Sequence, residues 1–138
     1  MVAYSFKRSF VAQIQVGLGQ IERIDGTEYQ PKRQTIRANR KRHARPGEEL
    51  QLYCAMRTKH CFLIGRARCV TVEPIRLDFG QWPAVYVGQE ELREGTELDQ
   101  FAKRDGFSDW FELFSFWRKE HGHVVIFFGQ LIRWEALR

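Results

Sequence analysis

Apolar and polar positions alternate in short runs along the first two thirds of the chain. Val2 to Phe6 predicts a first strand. Arg8 to Val16 places Phe10, Val11 and Ile14 on one face of a short helix, which Gly17 and Gly19 end. Gln20 to Pro31 is polar and mixed, with Asp25-Gly26 as a turn signal, and reads as a loop or protruding hairpin. Gln34 to Ala38 predicts a strand with Thr35 and Arg37 on one face and Ile36 on the other. After the Pro46-Gly47 turn, Glu49 to Met56 alternates again: Leu50, Leu52 and Cys54 face one way, Gln51 and Tyr53 the other. Cys61 to Gly65, Cys69 to Leu77 and Val85 to Val87 predict further strands. Short strands at this spacing, separated by Gly and Pro turns, point to a small barrel or sandwich.

The last third changes period. Thr96, with Asp99 three residues on, resembles a capping box for a helix over Glu97 to Asp105, stopped by Gly106. Ser108 caps a second helix, in which Trp110, Leu113, Phe114 and Trp117 form one apolar stripe suited to a core; Gly122 ends it. Val124 to Phe128 and Leu131 to Trp134 predict a last apolar strand, central in the sheet and broken or bulged near Gly129. The predicted class is α+β, one domain over residues 1–138: a small, mostly antiparallel barrel with helices packed at one end. Leu50, Leu52, Val70, Val72, Ile126 and Phe128 are expected inside it.

Composition supports one core: 43% of the 138 residues are hydrophobic and 14% aromatic, which excludes a disordered chain. No apolar run approaches the roughly 20 residues that span a bilayer, and Met1 to Gln15 lacks the apolar core of a signal peptide. A soluble, cytoplasmic protein is expected. Cys54, Cys61 and Cys69 are odd in number and match no usual zinc spacing, so buried or half-buried thiols are expected, with no metal and no cofactor. No phosphate-cradling Walker loop, dinucleotide fingerprint or nucleophile elbow is present.

Charge changes the picture. Residues 32–45 carry Lys32, Arg33, Arg37, Arg40, Lys41, Arg42 and Arg45, with His43 among them and no acid, a formal +7 in a chain of net +5. The basicity is local, as a surface for a polyanion requires.

The same stretch opens with Lys32-Arg33-Gln34-Thr35-Ile36-Arg37, and here the chain resembles the ASCH domain, a PUA-like β-barrel module, most closely its small phage- or prophage-type members. The similarity continues through Arg40-Lys41-Arg42-His43-Ala44-Arg45-Pro46-Gly47-Glu48, Leu50-Gln51-Leu52-Tyr53, Met56-Arg57-Thr58-Lys59, Asp105-Gly106-Phe107, Phe116-Trp117, His121-Gly122 and Gly129-Gln130-Leu131-Ile132-Arg133-Trp134. It implies RNA binding by analogy with PUA domains. Its small acetylcytidine amidohydrolase members imply a catalytic Lys, Thr and acid, which fall on Lys32, Thr35 and Asp105. Some ASCH proteins are also linked to RNA cleavage. Compact members place a Gly almost directly before the Lys, whereas here Gln20 to Pro31 intervenes; the acid is Asp rather than Glu.

The chemistry sets what each function needs. A Thr hydroxyl is a weak nucleophile unless a base or cation lies beside it. Lys32 desolvated in a cleft could be that base, and Asp105 could orient it or move protons. A carboxylate in the last turn of a helix opposes the helix dipole, a local conflict commoner at functional sites. For RNA, Arg33, Arg37, Arg40, Lys41, Arg42 and Arg45 would neutralise phosphates, His43 would contact phosphate or move a proton, and Tyr53 or Trp82 would stack on an unpaired base. The expected function is therefore binding of RNA or a modified nucleoside. The alternatives are an amidohydrolase or ribonuclease on the same cleft, and a protein-interaction adaptor, such as a transcription coactivator-like module, with an acidic partner.

Overall fold

The computed structural model describes residues 2–22 and 30–137. Among them are seven strands and three helices. In chain order these are β1 (Val2–Phe6), a 3-10 turn (Arg8–Phe10), α1 (Val11–Gly17), β2 (Gln34–Ala38), β3 (Glu49–Cys54), β4 (Phe62–Asp78), β5 (Ala84–Val87), β6 (Glu90–Leu92), α2 (Gly95–Arg104), α3 (Trp110–His121) and β7 (Ile126–Ala136). The turn expected at Asp25-Gly26 lies outside the described residues. No described helix is long and apolar enough to cross a membrane.

The architecture is α+β around one mixed sheet. β1 runs parallel to β3, and every other pairing is antiparallel. β4 is the spine: its first half pairs with β3, its last residues with β5, and most of its other edge with β7. β7 in turn carries β2. The sheet is not a closed barrel. β6 is one free edge; β1 and β2 are two others, and no backbone ladder joins β1 to β2 across the gap between them.

Side chains bridge the gap between those edges. The Arg37 guanidinium donates to the Ser5 carbonyl at 2.6 Å. His43 Nε2 lies 2.8 Å from the Ala38 carbonyl, and its Nδ1 lies 2.9 Å from the Tyr4 hydroxyl. That hydroxyl also accepts the Ala44 N–H at 3.2 Å. The seam is thus fastened at its Tyr4–Ala38 end and left open beyond Arg37.

Alternation explains β1 and β3: Val2, Tyr4, Phe6, Leu50, Leu52 and Cys54 are all buried. In α3, Leu113 and Trp117 reach the core, and Trp117 meets Phe127 edge-on. The caps differ from expectation. The capping box of α2 is made by Glu94 and Glu97, not Thr96 and Asp99. Asp109 caps α3 by accepting the Glu112 N–H, while Ser108 donates to the Glu112 carboxylate. The two strands expected over residues 61–77 are one continuous β4.

Three expected core residues are outside. In β4 the register with β7 shifts between Cys69 and Thr71, so Val70 is an extra residue; it is 43% exposed. Ile126 and Phe128 also face outward, Phe128 beneath the Arg76 guanidinium. Val72 is half-buried. Ala67, Cys69, Ile75, Leu77, Leu131, Ile132 and Trp134 fill the interior instead. The irregularity expected near Gly129 is absent, since Gly129 pairs in register with both Ile75 and Ala38. Its lack of a side chain has another cause: a Cβ there would lie 2.2 Å from the Arg37 carbonyl oxygen.

Two substitutions separate the expected core from the observed one. Leu131→Ala should cost about 2–5 kcal/mol, and Val70→Thr should stay within about 0.5 kcal/mol, both by denaturant unfolding. Equal costs would contradict the bulge.

Candidate functional site

The open part of the seam is a cleft of about 150 Å³. Ser5 and Phe6 of β1 form one wall; Thr35, Ile36 and Arg37 of β2 form the other. Phe10, Phe116, Trp117 and His121 close it from the helical side, with Lys32 and Asp105 at its base.

Lys32 precedes β2 and is held by its backbone. Its N–H donates to the Gln13 carbonyl of α1 at 2.9 Å. Gly17 packs so closely that a Cβ would lie 2.5 Å from the Lys32 carbonyl oxygen. The side chain is 3% exposed. Its ammonium donates to the Asp105 backbone carbonyl at 2.7 Å and lies 3.4 Å from the Asp105 carboxylate. It also sits 4.6 Å from the centre of the Phe10 ring, a cation–π distance. An ammonium has three hydrogens; Asp105 supplies both acceptors, and the group lines the cleft.

Asp105 is the C-cap of α2, followed by Gly106 at φ +96. Its backbone carbonyl, at the negative end of the helix, faces the Lys32 cation. Gln34 donates to the carboxylate at 3.4 Å and accepts from Arg133 Nε at 3.4 Å. Burial raises the Asp105 carboxyl above its ordinary range, against the pull of Lys32. Burial likewise lowers the Lys32 ammonium, against the pull of Asp105. Burial opposes each charge, and the partner's charge offsets part of that penalty.

Thr35 is buried, and its hydroxyl oxygen accepts from Arg37 Nε at 3.0 Å. No described residue takes the hydroxyl's own hydrogen. The Arg37 guanidinium lies over Phe6 and Tyr4, 4.8 and 5.3 Å from the ring centres. Burial brings it down to about 10, so it stays charged at neutral pH.

Lys32, Thr35, Arg37 and Asp105 therefore share one cleft, although Asp105 is far along the chain from the rest. The remaining basic residues separate. Arg33 turns away, its Nε donating to the Gly17 carbonyl at 3.3 Å. Arg40 lies over the Tyr4 ring at 4.7 Å, beside Arg37 at the fastened end of the seam. Arg42 is bound to Glu48. Lys41 and Arg45 are exposed and form no ion pair with a described residue. His43 serves the seam: desolvation lowers it, so it stays neutral and accepts the Tyr4 hydroxyl hydrogen. Tyr53 stands beside Ser5 in the β1–β3 register, outside the cleft lining. Trp82 is 75% exposed in the β4–β5 loop, also outside it. Cys61 is exposed rather than buried.

Sequence reasoning missed Gln34, the aromatic wall and His121. Gln34 carried no signal beyond its place between Lys32 and Thr35. His121 could have been suspected from its position one residue before the terminating Gly122. No group of three or more His, Cys, Asp or Glu among the described residues could hold a metal. No family model, curated protein or solved structure matches the chain.

Two tests follow from these contacts. Lys32→Met or Asp105→Leu alone strands a buried charge and should cost about 3–5 kcal/mol, whereas the double variant should be near neutral or stabilising. Denaturant unfolding reads this; a double variant as unstable as the worse single variant would show that the pair is a net stabiliser. Glu48 is lowered to about 2 by the Arg45 backbone N–H and then by Arg42. Its contribution is complete above 4.5, its unfolded value, and is lost as pH falls toward about 2. Thermal unfolding of Glu48→Gln should lack this part of the acid sensitivity.

Proposed function

We propose that the chain is an RNA-directed binding module whose cleft takes a modified nucleoside base. One observation carries this: a buried cation, a buried carboxylate and an unengaged hydroxyl hydrogen converge on one base-sized opening between aromatic walls. The Thr35 O–H and the Lys32 ammonium would donate to carbonyl oxygens of a ligand, and a buried polar site rejects analogues lacking those acceptors. Arg40, Lys41 and Arg45 would hold the phosphates outside, at the fastened end of the seam. The resemblance to the ASCH family, with its PUA-like barrel, supports the reading.

A second reading, hydrolysis of an acylated cytidine, is favoured by the lowered Lys32. Neutral Lys32 would take the Thr35 hydroxyl proton as Oγ attacks the acyl carbon. The C–N bond would then break, with that proton passing to the departing amine. Water would release the acyl group from Thr35 as a carboxylic acid.

Calorimetry with cytidine and N4-acetylcytidine tests both readings. The acetylated nucleoside should bind at least tenfold more tightly, and Thr35→Val should remove that preference without unfolding the protein. Release of acetate by the wild type but not Thr35→Val would establish the hydrolase. Equal, weak binding of both ligands would overturn the cleft assignment. Lys32→Ala is unsuited to this test, because the stranded carboxylate would destabilise the fold.

A further inference from the structure

Beyond the 32–45 segment, cations also stand on the outer face of the first half of β4 and in the loop before it. From Arg37 to Arg68 the chain holds nine Arg and Lys residues against two acids, Glu48 and Glu49. Two of them, Arg66 and Arg68, lie on the outer face of β4, Arg66 3.8 Å from the Glu49 carboxylate and Arg68 donating to the Gly47 carbonyl at 2.9 Å. Cross-strand partners share a face, and here Glu49 pairs with Arg68, Gln51 with Arg66 and Tyr53 with Leu63, all on the side away from the core. Ser5, in the cleft wall, neighbours Tyr53 on the same face. One continuous surface therefore runs from the cleft across β1 and β3 to β4, where Leu63 stands across from Ser5 at two strand spacings, roughly 10 Å, and Arg66 and Arg68 follow farther along the strand.

The loop between β3 and β4 borders this surface and is tied to the cleft wall. The Ala55 N–H donates to the Phe6 carbonyl at 3.2 Å, and the Met56 N–H donates to the Ser5 hydroxyl at 3.0 Å. Both acceptors lie in the cleft wall. The loop then turns outward with Ala55 and Arg57 in left-handed conformations, at φ 54 and φ 66. Non-glycine residues adopt these at a cost, and such residues cluster at functional sites. The turn leaves Arg57, Lys59 and His60 exposed, next to Phe62 at 40% exposure.

We infer that this face is a track for a single strand of RNA, gripped by Arg57, Lys59, Arg66 and Arg68. Tyr53 is the platform for the base next to the one in the cleft. The partner is single-stranded, because a base-sized cleft beside a half-buried tyrosine demands unstacked bases. The inference rests on the proposed nucleoside cleft and extends it to the flanking nucleotides.

Fluorescence anisotropy with a labelled twelve-nucleotide RNA of mixed sequence, at several salt concentrations, tests it. Replacing Arg57, Lys59, Arg66 and Arg68 together by Gln should flatten the slope of log K against log salt by about 2.8, at about 0.7 per phosphate contact on a single strand. N4-acetylcytidine binding in the cleft should not change in this variant. Tyr53→Leu should weaken RNA binding about 5- to 100-fold with an unchanged salt slope, as loss of stacking does. An unchanged slope in the fourfold variant overturns the track while leaving the cleft standing. Loss of the acetylcytidine preference in Thr35→Val with RNA binding intact supports the track. Equal binding of an acidic peptide of the same charge, with the same losses, overturns it in favour of a protein partner.

Discussion

A lysine ammonium with almost no water around it has to receive its partners from the fold, and Lys32 receives them from one residue. Asp105 offers its backbone carbonyl and its carboxylate together. This ties the segment entering β2 to the end of α2, and places both at the base of the gap between β1 and β2. Gln34 carries the connection from the carboxylate to Arg133 on β7. A buried ion pair is a poor way to gain stability, since desolvation opposes the attraction. Its presence where the sheet fails to close argues for a purpose at that place.

The seam explains why the place exists. Had β1 and β2 paired along their length, backbone hydrogen bonds would fill the space that the cleft occupies. Instead Arg37, His43 and Tyr4 fasten one end with side chains and leave the other open. Residues that look like one basic run thus divide into fasteners, cleft walls and exposed cations. Arg37 and His43 belong to the structure as much as to any ligand.

Much of this was legible in the chain. β1 and β3 were readable because each sets one face against the core, and alternation reports that directly. Val70 was misread because a bulge changes the parity of a strand without leaving a sequence mark. Ile126 and Phe128 were misread because apolar character was taken for burial, although β7 begins outside the core beneath Arg76. The meeting of Lys32 with Asp105 was anticipated from motif order. The contact of Gln34 was not, since it depends on how a strand end and a helix end come together. The outward direction of Arg66 and Arg68 was hidden for a related reason: it depends on the register of β4 against β3.

The central claim is that the unclosed seam is the binding site. Mapping of backbone amide chemical shifts during titration with N4-acetylcytidine tests it most directly. The account predicts shifts concentrated at Ser5, Phe6, residues 35–37, Asp105 and His121, with the core of β4 and β7 unmoved. Shifts centred on the aromatic surface around Phe79 and Phe114, or none at saturating nucleoside, would contradict it.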